Sequence, residues 1–100
     1  MKIKTTTEND ILSIVVEGRL DSTTAPSLEE CLRNSITNDT QKLILDFSKL
    51  EYISSAGLRV LLSLQKSFCK TNKQLIITNA TLDVMEVFKI TGFIDILTIR

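Results

Sequence analysis

Apolar residues follow two rhythms along this chain. Ile11, Leu12, Ile14, Val15 and Val16 form a dense, β-branched run bounded by Glu8-Asn9-Asp10 and by Gly18, which predicts a strand. The preceding Lys2–Thr7 segment alternates well enough to pair with it, so a hairpin turning near Glu8, Asn9 and Asp10 is expected. The period then lengthens: Leu28, Cys31, Leu32 and Ile36 fall on one helical face, with serine and threonine ahead of Pro26 and with Glu29 and Glu30 as first-turn acids. This helix is expected to end near residues 37–40. "KLILDF", residues 42 to 47, reads as a short strand buried on both faces.

A second helix follows from Leu58, Leu61, Leu62, Gln65, Phe68 and Cys69, closed by Lys70-Thr71-Asn72-Lys73. "QLIIT", residues 74 to 78, is another buried strand. Leu82, Val84, Met85, Val87 and Phe88 make a short helix stopped by Gly92, and residues 93 to 100 read as a last strand. The order ββαβαβαβ implies one α/β domain over residues 1–100, with about three helices and a mixed sheet whose later strands are mostly parallel. Leu43, Ile44, Leu45, Leu61, Leu62, Ile76 and Phe88 are its expected core.

Charge and composition narrow the function. Twelve basic and twelve acidic residues cancel and are dispersed, which argues against nucleic acid or an anionic membrane as partner. The longest apolar runs are far too short to span a bilayer, so no membrane insertion and a cytoplasmic location are expected. There is no histidine, which removes His-based triads and imidazole zinc sites. Cys31 and Cys69 lack C-x-x-C spacing and read as small buried hydrophobes. No metal or cofactor is expected, and the chain is not read as an enzyme.

One stretch remains unexplained by packing. "YISSAGL", residues 52 to 58, joins an apolar run to a helix, a place where unpaired N–H groups point outward. Ser54 or Ser55 is placed to cap a helix beginning around Ala56, and Gly57 permits close approach to its first turn. A phosphate on a hydroxyl here would meet the positive helix end, with Arg59 four residues beyond Ser55 within reach. It would add about −1.5 to −2 charges to an exposed surface without unfolding the domain.

The segments "DFSKLEYISSAGLRVLL" (46–62), "GRLDSTTA" (18–25) and "VFKITGF" (87–93) resemble the STAS-domain anti-sigma factor antagonists of bacteria. That family typically shows D-S-[ST]-G-L at the loop, its first serine phosphorylated by a partner kinase. Aligning Gly57 and Leu58 with the final G-L places Ser55 on the phosphoacceptor, while Ser54 replaces the aspartate and Ala56 the second hydroxyl residue; Ser55 is thus the favoured acceptor and Ser54 its substitute. "GRLD" is similar to the family's G-x-L-D turn and makes Asp21 an acidic residue near the same end, either forming the turn or contacting the partner.

The resemblance implies a STAS-like fold and a partner-switching signalling cycle that regulates transcription. Unphosphorylated, the chain would bind an anti-sigma factor serine kinase of the histidine-kinase-like ATPase type through Asp21, Ser54, Ser55, Gly57 and Arg59, freeing a sigma factor. Phosphorylation of Ser55 would release it, and a PP2C-type phosphatase would reset the cycle. ATP and magnesium would belong to the kinase. Many members carry a further helix beyond the last strand, where this sequence stops at Arg100.

Two other readings compete. One is a STAS scaffold, or accessory subunit of a transport system, in which Ser55 only caps a helix. The other is a hydrolase or transferase with Ser55 as nucleophile and a lysine or a carboxylate such as Asp21 or Asp46 as base, weakened by the missing histidine and by the absence of G-x-S-x-G.

Overall fold

A computed structural model describes residues 1–100. Strands β1 (Lys2–Glu8) and β2 (Ile11–Leu20) form the expected antiparallel hairpin, with Asn9 at φ 57° in its two-residue turn. Then come α1 (Ala25–Ser35), β3 (Lys42–Asp46), β4 (Leu50–Ile53), α2 (Ser55–Lys70), β5 (Gln74–Thr78), α3 (Leu82–Thr91), a 3-10 turn (Phe93–Asp95) and β6 (Thr98–Ile99). The six-stranded sheet runs β1-β2-β3-β5-β6, with β4 attached to β2, and only the β1–β2 pairing is antiparallel. This is the mixed α/β sheet with three helices that the hydrophobic pattern predicts.

Three local expectations are corrected. The sequence reading has no β4, yet Leu50 and Ile53 are buried and Leu50–Ile53 pairs in parallel with Gly18–Leu20. A turn separates it from β3: the Ser48 N–H donates to Asp46 Oδ1 at 2.9 Å and the Leu50 N–H to the Phe47 carbonyl at 3.0 Å. Residues 93–100 do not form one strand, because Gly92 ends α3 in the left-handed region (φ 81°) and the chain then coils in short-range hydrogen bonds as far as Leu97. Only Thr98 and Ile99 pair with β5. Glu29 and Glu30 lie beyond the first turn of α1, since that helix starts at Ala25, and its leading threonine, Thr24, does not cap it by side chain.

The strands are covered mainly from one side. In register, Leu12, Leu43 and Leu75 share a face, as do Ile14, Leu45 and Ile77, and all six join one core with Leu28, Leu32, Leu58, Leu61, Phe68, Val84 and Phe88 from the helices. The other face carries Ser13, Val15 and Ile44, which are half-buried. Strand β3 therefore alternates in burial instead of being buried on both faces. Leu62 is likewise half-buried, Cys31 is half-buried and Cys69 is exposed, so neither cysteine is a core residue.

β2 is the organising strand. Its first half pairs with β3 and its last three residues with β4, and the register slips between Gly18 and Arg19. Gly18 makes the slip possible with φ 106°, a conformation costly for residues bearing a Cβ, and its N–H donates to the Lys49 carbonyl at 3.0 Å. The bulge lets one strand serve two parallel partners. It thereby delivers the end of β4, and the serines that follow, beside the end of β2.

Candidate functional site

Ser54 and Ser55 sit where β4 becomes α2. The Ser54 N–H donates to the Leu20 carbonyl at 2.9 Å, and the Ser54 carbonyl accepts from Leu58 N–H at 2.9 Å, so backbone bonds tie the loop to β2 and open the helix. Ser54 occupies the N-cap with extended φ and ψ, but its side chain makes no cap hydrogen bond, and its Oγ is shut off from solvent without a partner. Ser55 is the first helical residue and exposed, so the alternative in which Ser55 is the cap does not describe this geometry. The first turn of α2 has no acidic residue. The N–H groups of Ser55, Ala56 and Gly57 therefore point out of an uncapped, positively polarised helix end.

Gly57, expected to admit a partner, is buried, and its close approach is internal. A Cβ built there would lie 2.8 Å from Leu20 Cγ and 2.8 Å from Ile53 Cγ1. The bare Cα lets α2 sit directly on the junction of β2 and β4. That seat orients Ser55 and Arg59 outward, both exposed. Arg59 takes part in neither of the chain's two ion pairs, Arg19 with Asp21 and Lys49 with Glu17.

Asp21 shapes the neighbouring turn. Its Oδ1 accepts from the Thr23 hydroxyl at 2.7 Å, Thr23 N–H at 3.0 Å and Thr24 N–H at 3.3 Å, while its own carbonyl takes the Ala25 N–H at 2.8 Å. The Thr24 hydroxyl donates to the Arg19 carbonyl at 2.7 Å and accepts from Asp21 N–H at 2.9 Å. The Thr23 hydroxyl above all, then its N–H, holds the Asp21 carboxyl below its usual range. For Asp46, partial burial pushes upward, but hydrogen bonds led by the Ser48 N–H prevail and hold it low as well. Carboxylates stabilised in this way are poor bases, and their hydrogen bonds go to Thr23, Thr24 and Ser48 instead of Ser55. No three His, Cys, Asp or Glu side chains cluster where a metal could bind.

Two residues of this end escaped sequence reasoning. Arg19 and Tyr52 face each other across the β2–β4 pairing, and the guanidinium carbon lies 4.2 Å from the centre of the Tyr52 ring. Their pairing depends on β4, so only a strand assignment for "LEYI" would have placed them together.

A family model of the STAS domain matches residues 2–100, and the chain is a STAS-domain protein. Its relatives place it more narrowly, in the anti-sigma factor antagonist family of regulatory binding proteins. It is 33% identical over 96 residues to the candidate anti-sigma factor antagonist BtrV of Bordetella bronchiseptica, covering 96% of this chain and 83% of that one. It is 28% identical over 100 residues to the anti-sigma-B factor antagonist of Staphylococcus aureus, covering 100% and 93% of the two chains. The fold is similar to that of the anti-sigma factor antagonist SpoIIAA in its unphosphorylated form, with TM-score 0.83 at 17% identity over 99% of this chain and 88% of that one. The phosphorylated form of SpoIIAA, from Bacillus, gives TM-score 0.76 at 16% identity, covering 99% and 91%. No helix of the chain is long and apolar enough to cross a membrane.

Two predictions follow from the site's construction. Gly57→Ala forces a methyl into the seat, at about 1 to 3 kcal/mol, against which a better helix former returns up to about 1 kcal/mol. The expected net loss is roughly 1 to 2 kcal/mol in urea unfolding, whereas Ser54→Ala, which removes an unpartnered hydroxyl, should cost less than about 0.5 kcal/mol, below the ~1 kcal/mol of a working cap. The second concerns acid. Because the folded Asp21 carboxyl titrates below its ordinary 3.8, its stabilisation is complete above that value and is lost as pH falls through the lower, folded pKa. Asp21→Asn should lower the urea midpoint at about pH 7, and the deficit should shrink below about pH 4; an equal deficit at both would contradict this role.

Proposed function

We propose that the chain is the phosphorylatable arm of a partner switch. Unphosphorylated, it binds an anti-sigma factor serine kinase of the histidine-kinase-like ATPase type and so releases a sigma factor. Phosphorylation of Ser55 by that kinase ends the complex, and a PP2C-type phosphatase restores it. The chain works in the cytoplasm.

The observation that carries this reading is the state of the α2 N-terminus. Ser55 is exposed on the first helical residue, the capping side chain makes no bond, the first turn is free of acids, and Arg59 is unpaired one turn on. A phosphate on Ser55 would find unpaired N–H donors and a positive helix end already in place. Its charge of about −2 would then stand on the surface instead of disturbing the core. The existence of SpoIIAA in phosphorylated and unphosphorylated forms supports the same cycle here.

Within this surface Ser55 is the acceptor. Arg59 flanks it, Ser54 fixes the loop through its backbone, Asp21 braces the turn beside it, and Gly57 acts from beneath by seating the helix. Exposed side chains account for binding, and buried ones for position.

Mass spectrometry of the native protein in growth and in stress should find a condition-dependent phosphoryl group on Ser55. Ser55→Ala, at an exposed position, should change stability by no more than about 0.5 kcal/mol and remain bound to the kinase with ATP present, while Ser55→Asp should weaken binding. If both variants bound the kinase as the parent does, or if the kinase left Ser55 unmodified, the switch would be disproved and a scaffold role favoured.

A further inference from the structure

We propose that Arg19, held over Tyr52, determines partner specificity on the Ser55 face by taking a carboxylate of the kinase; this rests on the partner-switch reading above. The stack lies immediately before the serines. Arg19 is in register with Tyr52 and Leu20 with Ile53, and the next backbone bond in that line joins Ser54 N–H to the Leu20 carbonyl. Strand alternation sends Leu20 and Ile53 into the core, both fully or almost fully buried. Arg19 and Tyr52 are thereby turned outward, with 61% of the Arg19 side chain and 39% of Tyr52 exposed.

Most exposed arginines sample many rotamers, and ordering them weakens binding. Here the ordering is done in advance. The Tyr52 ring carries the guanidinium on its face at 4.2 Å, and Asp21 Oδ2 approaches Nε at 3.8 Å, too far for a hydrogen bond. Asp21 is committed through Oδ1 to the turn, so it braces Arg19 from one side and does not satisfy its donors. What remains outward is a planar donor fork suited to a carboxylate. Tyrosine and arginine are also the residue types that most often dominate binding energy at the centre of an interface.

Charge gives the occupant its sign. Arg19 flanks Ser55 from the sheet and Arg59 from α2; the carboxylates nearby are Asp21, already hydrogen-bonded within its turn, and Glu29, which lines one groove with Arg59 without forming an ion pair. The Arg19 and Arg59 guanidinium groups therefore keep donors free beside Ser55, although the chain as a whole is neutral. A phosphate of about −2 would cancel both guanidinium charges, turning attraction for an acidic partner face into repulsion. The same two arginines would thus both recruit the kinase and make its release sensitive to Ser55.

The test is binding of the purified chain to its serine kinase, measured across ionic strength for the parent, Arg19→Ala, Arg19→Lys, Arg19→Glu, Tyr52→Ala and Ser55→Asp, each checked for an unchanged melting profile. Arg19→Glu should bind roughly tenfold more weakly or worse, Arg19→Ala should bind several-fold more weakly with a flatter salt dependence, and Arg19→Lys should recover part of the loss. Tyr52→Ala should weaken binding through the freed arginine. Parental affinity in Arg19→Ala and Arg19→Glu, with Ser55→Asp still released, overturns this inference and leaves the switch standing. A parent chain with no affinity for the kinase overturns both.

Discussion

The contact between Gly57 and the pair Leu20 and Ile53 is the constraint on which the working end of this molecule depends. Only a residue without a side chain lets α2 approach so closely, because a Cβ would meet both neighbours at 2.8 Å. Leu20 and Ile53 are themselves brought together by the parallel pairing of β4 with the tail of β2, and that pairing requires the slip at Gly18. Two glycines thus act in series. One lets β2 serve two partners, and the other lets a helix lie on the junction that results.

From this junction the chain separates holding from presenting. Leu20, Ile53, Gly57 and Leu58 point inward and are buried, while Arg19, Tyr52, Ser55 and Arg59 alternate with them and face solvent. Thr81 extends the bracing from the far side: its hydroxyl donates to the Leu50 carbonyl at 3.1 Å and accepts the Val84 N–H at 3.4 Å, linking the start of α3 to β4. A charge added to Ser55 would therefore sit on a platform braced from β2 and from α3.

Much of this was legible in the sequence, for physical reasons. The β-branched run Ile11–Val16, the helical spacing of Leu28, Leu32, Leu58, Leu61 and Phe68, and the stop at Gly92 each carry a strong local signal, and each element is present. β4 was not legible because its four residues, buried only at Leu50 and Ile53, lack the alternation of a strand, and their three-residue spacing is equally that of a helix turn. The final strand is shorter than its apolar pattern implies: Phe93, Ile94, Ile96 and Leu97 are apolar enough for a strand, whereas their backbone is set by the left-handed turn at Gly92. The loop's serines were legible as a junction, but which one faces solvent depends on where α2 begins, a difference of one residue. Gly57's role was legible only as small size; that its neighbour is the chain's own core is a tertiary fact.

A phosphate on Ser55 is proposed to alter the surface and leave the fold intact. The direct measurement is to install phosphoserine at position 55 during translation and compare that protein with the parent for urea unfolding and for kinase binding. Unfolding within about 1 kcal/mol of the parent is expected, together with a complex weakened at least roughly tenfold. A phosphorylated chain that unfolded, or one that held the kinase as tightly as the parent, would contradict that expectation.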